Sequence, residues 1–70
     1  MPELFIYYDN EPENPMHRDE EARELAETEA VGAGTDLATI VRDIQFRYGT
    51  DEDLEAAKGR FRDARFRFFP

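Results

Sequence analysis

The chain has no cysteine, no serine and no tryptophan, and only one histidine and one lysine among its 70 residues. Each absence removes a class of chemistry. Without cysteine there is no disulfide and no thiolate to hold zinc. Without serine or cysteine, the commonest side-chain nucleophiles are missing. His17, standing alone, cannot build a histidine metal cluster. Beside Asp19 and Glu20 it has the makings of an acid–base pair, but nothing else converges on it, and it reads as a solvated surface residue. No catalytic, cofactor-binding or metal-binding residue is assigned, and the chain reads as non-enzymatic. Long apolar runs are absent too. None approaches the roughly 18 residues of a membrane span. Leu4–Tyr8 is too short for the core of a signal peptide, and no basic segment precedes it. The expected location is the cytoplasm, with no membrane contact.

What the chain has in excess is negative charge. It carries 17 acids against 9 bases, a net charge of −8. The charge is uneven: residues 1–29 are net −8, residues 30–57 net −4 and residues 58–70 net +4. An acidic balance argues against general nucleic-acid affinity, which rests on neutralising phosphates. The length sets a second bound. A chain this short forms one domain, 1–70, and its core contributes only a few kcal/mol, on the order of 3–5. Association with itself or with a larger partner is a common remedy at this size.

The strongest periodicity lies between Gly34 and Phe69. Leu37, Ile40, Val41, Ile44 and Tyr48 fall on one face of a 3.6-residue period, which predicts a helix over about 36–48. Thr35 stands where an N-cap would, Asp36 suits the positive end of the helix dipole, and Gly49 would stop the helix. Thr50-Asp51-Glu52-Asp53 reads as a capping box opening a second helix over about 51–66. Its apolar seam is Leu54, Ala57, Phe61, Ala64 and Phe68, and Gly59 in its middle suggests a close helix crossing or a break. Leu37, Ile40, Ile44, Leu54 and Phe61 are the expected shared interior. A third helix is predicted over about 15–31, with Asn14 as cap and Pro15 at the first helical position. Its apolar face is thin, and Glu20, Glu24 and Glu27 form one acidic stripe along it.

Residues 1–14 form an arm. Leu4-Phe5-Ile6-Tyr7-Tyr8 has the composition of a strand and must pair with something, since a lone strand is unstable in water. Arg65-Phe66-Arg67-Phe68 alternates with period two, so it is open to both helix and strand. The expected fold is therefore mostly α, a strand or extended arm with three short helices. The alternative is α+β, with strand 4–8 paired to 65–69. Aromatic residues gather at both ends. Phe5, Tyr7, Tyr8, Phe66, Phe68 and Phe69 either complete the core or leave one end exposed as an anchor for a partner, and of these Tyr7, Tyr8, Phe66, Phe68 and Phe69 are nominated for binding.

Two local patterns invite a metal. Asp51, Asp53 and Glu55 alternate as in a calcium loop, but Ala56 and Arg62 stand where that loop needs glycine and a bidentate glutamate. Gly32-Ala33-Gly34-Thr35-Asp36 resembles the Gly-x-Gly-Thr-Asp loop of annexin repeats. That resemblance implies backbone carbonyls offered to calcium at a membrane surface. It spans five residues, and the family's acidic calcium ligand has no counterpart in the sequence. A glycine helix stop followed by a threonine cap accounts for the same letters.

These features favour an acidic interaction protein that binds a larger, basic protein through Glu20, Glu24 and Glu27 and the terminal aromatics. Its most concrete version is a small inhibitor or regulator from a phage or mobile element, or a nucleic-acid mimic. The alternative is a structural subunit of a homo-oligomer or a larger assembly. A third reading is a helix-turn-helix-like DNA-binding regulator using the Arg-rich end. Against it stand the carboxylates of Asp51–Glu55, where a recognition helix would meet bases.

Overall fold

Leu4, Ile6 and Tyr8 alternate with Phe5 and Tyr7, and that alternation sets the architecture. In the computed structural model, which describes residues 1–11, 13–14, 16–36 and 38–69, these residues form the strand β1, Glu3–Asp9. The chain continues through helix α1 (Asp19–Ala26), strands β2 (Ala30–Asp36) and β3 (Val41–Arg47), helix α2 (Asp51–Asp63) and the short strand β4 (Arg67–Phe68). The four strands make one antiparallel sheet in the order β2-β3-β1-β4. Each helix thus carries the chain past one strand, giving the split β-α-β arrangement called ferredoxin-like. The domain is α+β, and the expectation of a mostly α fold is overturned.

Both helices pack on one face of the sheet. Leu4, Ile6 and Tyr8 from β1 and Ile44 and Phe46 from β3 are buried there against Ala22 and Ala26 of α1 and Ala57 and Phe61 of α2. Phe46 and Phe61 stack with ring centroids 5.8 Å apart. The alanines of α1 let a short helix approach closely while burying little side-chain volume.

The largest correction concerns the helix expected over 36–48: Asp36 ends β2, residues 38–40 turn the chain, and Val41–Arg47 form the strand β3. The helical pattern left out Phe46. At about 100° per residue a helix would turn Phe46 roughly 200° from Ile44, onto the solvent side. As a strand, the same segment buries Ile44 and Phe46 fully and continues to the buried Tyr48. Ile40, assigned to the interior, is 44% exposed and sits at positive φ (56°) in the β2–β3 turn. Leu37 lies outside the described residues. Of the other three expected interior residues, Ile44 and Phe61 are fully buried and Leu54 packs partly against the core. Thr35, expected as the N-cap, lies within β2, and Asp36 holds the turn that follows: its Oδ1 accepts from the backbone N–H of Ala38 and Thr39 at 2.9 and 3.3 Å. Those bonds hold its carboxyl below the usual value. Residues 32–36, read as a helix stop or a calcium loop, belong to β2. Among the described residues β2 and β3 separate α1 from α2, so the consecutive helix pair of a helix-turn-helix does not occur.

The first helix is shorter than expected. It begins at Asp19, with Arg18 rather than Asn14 at the N-cap, and ends at Glu27 in the left-handed region (φ 56°). Asn14 instead turns the chain, accepting from His17 N–H at 3.2 Å. The second helix begins as its capping pattern predicts, with Thr50 Oγ1 accepting from Asp53 N–H at 3.1 Å. Gly59 causes neither a crossing nor a break, since a Cβ added there meets nothing within 4 Å. The alternative pairing of 4–8 with 65–69 is realised over two residues, Ile6 with Phe68 and Tyr7 with Arg67. The main partner of β1 is β3, across seven register pairs.

Candidate functional site

Since both helices cover one face of the sheet, the other face is open. The register places its side chains in rows. Phe5 lies between Gln45 of β3 and Phe69, which follows β4 and donates its N–H to Phe5 O at 3.0 Å. Tyr7 lies between Asp43 and Arg67. Beyond Gln45 and Asp43, the β2 edge presents Gly32 and Gly34, which add no side chain. The outcome is an aromatic cluster at the β1–β4 side of the open face.

The rings are packed on one another. Tyr7 and Phe69 stack at 4.7 Å between centroids, and Phe5 meets Phe69 edge-on at 6.4 Å. Arg67 lies over Tyr7, 4.6 Å from the ring centroid. Phe5 is still 41% exposed and Phe69 52%. Aromatic residues this open and this close together form an apolar surface of the kind proteins use for binding. The surrounding charges are mostly paired. Glu3 accepts from Gln45 at 2.7 Å and pairs with Arg47 at 3.2 Å, and Asp9 pairs with Arg67 at 2.7 Å. Among the described residues, Asp43 has no ion-pair partner.

The residues nominated from sequence divide between layers. Tyr7 and Phe69 reach the open face. Tyr8 and Phe66 are buried, and Phe68 packs partly against the core. Glu20 and Glu24 are exposed on α1, in the helix layer on the far side of the sheet. Glu27 falls beyond the helix end and pairs with Arg60 at 3.3 Å, so the three glutamates form no continuous stripe. Phe5, counted among the terminal aromatics but not nominated for binding, belongs to the open face, as its period-two phase with Tyr7 requires.

Other polar clusters explain the fold. Tyr8 donates its hydroxyl to Asp19, which also accepts from Arg42. Burial first, and then the Asp19 bond, pushes the Tyr8 phenol up to about 12. A cleft of about 230 Å³ lies beside Tyr48, Glu27 and Arg60. There Arg60 Nε donates to Leu25 O at 2.6 Å and Tyr48 Oη donates to Ala26 O at 3.0 Å. Both satisfy carbonyls that the end of α1 leaves unpaired. Among the described residues no cluster of three metal-ligating side chains occurs, and no helix is long and apolar enough to cross a membrane. No family model, curated protein or solved structure matches this chain, so its site is read from its own chemistry alone.

Proposed function

We propose that the protein is a non-enzymatic interaction module whose docking surface is the open face of the sheet. The observation that carries this reading is the mutually packed cluster of Phe5, Tyr7 and Phe69, in which Phe5 and Phe69 are exposed and Tyr7 is half-buried. The partner is a larger, basic protein. Glu3 and Asp9 are already neutralised by Arg47 and Arg67, which leaves Asp43, with no ion-pair partner among the described residues, beside the rings. The chain's net charge of −8 adds long-range attraction for a cationic surface. The acidic outer face of α1 steers such a partner without touching the same patch.

The test compares capture of basic proteins by three forms: the native chain, a Tyr7→Ala/Phe69→Ala variant, and a Glu20→Gln/Glu24→Gln variant. Capture that survives the helix variant, is lost in the face variant and weakens as salt rises supports the proposal. Capture indifferent to the face variant refutes it.

A structural-subunit reading rests on a different feature. β2 is a seven-residue strand on the sheet edge, Ala30–Asp36, with neither lysine nor proline to protect it. Light scattering decides this reading, which requires a dimer or larger species at micromolar concentration.

A further inference from the structure

Three of the nine basic side chains line one cleft. Arg18, Arg65 and Arg67 meet there with His17, Tyr7 and Asp9 around a volume of about 270 Å³. The cleft lies where the end of β1, the turn before α1 and the α2–β4 junction converge. Arg18 comes from the acidic first part of the sequence, so folding assembles this cluster.

Two of the three guanidiniums, those of Arg18 and Arg67, are held with donors to spare. Arg18 lies 3.7 Å over the Phe66 ring and donates from Nε to Glu21 at 2.8 Å and from Nη2 to Ala64 O at 2.7 Å. Its Nη1 is left uncommitted. Arg67 is held between Tyr7 and Asp9 through one terminal nitrogen. Arg65 has no acidic partner among the described residues. Glu21 and Asp9 therefore offset two of the three charges in part, Glu11 stands 3.8 Å from His17 Nε2, and Arg65 meets no acid among the described residues.

Arg65 is also conformationally out of place. Phe66 N–H bonds to Phe61 O at 2.9 Å and Arg65 N–H to Arg62 O at 3.0 Å, which is a Schellman end to α2. Arg65 occupies its left-handed position, at φ 65°. Glycine sits there without strain. A long cationic side chain has taken the one position of this turn where the backbone disfavours it.

We propose that this cleft binds the phosphate group of a small phosphate monoester. Guanidiniums form charge-assisted, paired hydrogen bonds to oxyanions. A single guanidinium fork satisfies a planar carboxylate, whereas three approaching from different elements suit a tetrahedral group. The cleft adjoins the docking face and shares Tyr7 and Arg67 with it.

The test is an amide NMR titration of the full chain at low ionic strength with inorganic phosphate, then with glycerol phosphate, and with acetate as comparison. Saturable shifts are expected at residues 16–18 and 64–68, with acetate weaker. Arg65→Gly should weaken phosphate binding about tenfold or more while raising the melting temperature, so the loss does not reflect unfolding. Arg18→Ala should weaken it similarly. Unmoved amides at tens of millimolar phosphate, equal binding of acetate, or native affinity in Arg65→Gly would each overturn the assignment.

Discussion

Asp19 of α1 and Arg42 of β3 form a two-pronged ion pair, with Arg42 Nε 3.1 Å from Oδ1 and Nη2 2.9 Å from Oδ2. Tyr8 donates to the same carboxylate, which therefore ties the first helix to both central strands. Burial opposes ionisation of Asp19, but the bonds from Arg42 and Tyr8 outweigh it and hold the carboxyl below its usual value. The same bond raises Arg42. The folded value of Asp19 lies below the unfolded one, about 4. Its contribution to stability is thus present above that pH and is lost as pH falls through the folded value. Asp19→Asn should lower the denaturation midpoint at neutral pH, and the gap from the native chain should close in acid. A gap that persists in acid strong enough to protonate the native carboxyl would show that ionisation of Asp19 is not its source.

Alkali should act through two buried phenols. Burial pushes Tyr8 and Tyr48 each up to about 12, with the Asp19 bond adding to the effect at Tyr8. In the unfolded chain a tyrosine ionises at about 10. Because the folded values are the higher ones, stability is lost as pH rises from about 10 through about 12. Melting temperatures measured across this window should fall less steeply in Tyr48→Phe than in the native chain, despite the lost bond to Ala26 O. Equal slopes would contradict the assignment.

Gly59 lies within α2, in open space and without positive φ. Gly59→Ala should therefore stabilise the domain by about 0.4–1 kcal/mol, by restricting the unfolded chain and favouring the helix. Urea denaturation reads this directly as a higher midpoint at unchanged slope. A lower midpoint would place an unseen contact at this position.

Phe46 is fully buried and stacked on Phe61. Phe46→Ala should cost about 3–5 kcal/mol. That is comparable to the whole stability of a chain this short, so the variant should lack a cooperative melt at room temperature. A folded Phe46→Ala with a near-native midpoint would mean that residues 41–47 do not form the central strand.

Part of the candidate site could be read from the letters. Terminal aromatics suggested an anchor, and Tyr7 and Phe69 do reach the open face. Tyr8 and Phe66 looked equivalent to them and are not. Adjacent residues of a strand point to opposite faces, so the covering helices decide which is buried, and here they cover the side of Tyr8. Phe66 is drawn inward by the turn that closes α2, which sets its ring against Phe61 at 5.6 Å. The acidic stripe failed for a local reason: α1 ends one residue before Glu27.

By itself the sequence determined what acts within a turn or so of backbone. Thr50 and the acids after it start α2, the run Leu4–Tyr8 makes a strand, and charge is segregated along the chain. Tertiary structure decided the fate of residues 36–48. Their apolar side chains satisfy a helical period and an alternating one, and the spacing alone cannot choose between them. The choice falls to Ile6 and Leu4, which face Ile44 and Phe46 across the β1–β3 register. Only as a strand does this segment bring Ile44, Phe46 and Tyr48 together into the dry interior, and hydrophobic burial of that size outweighs the modest local preference for either form.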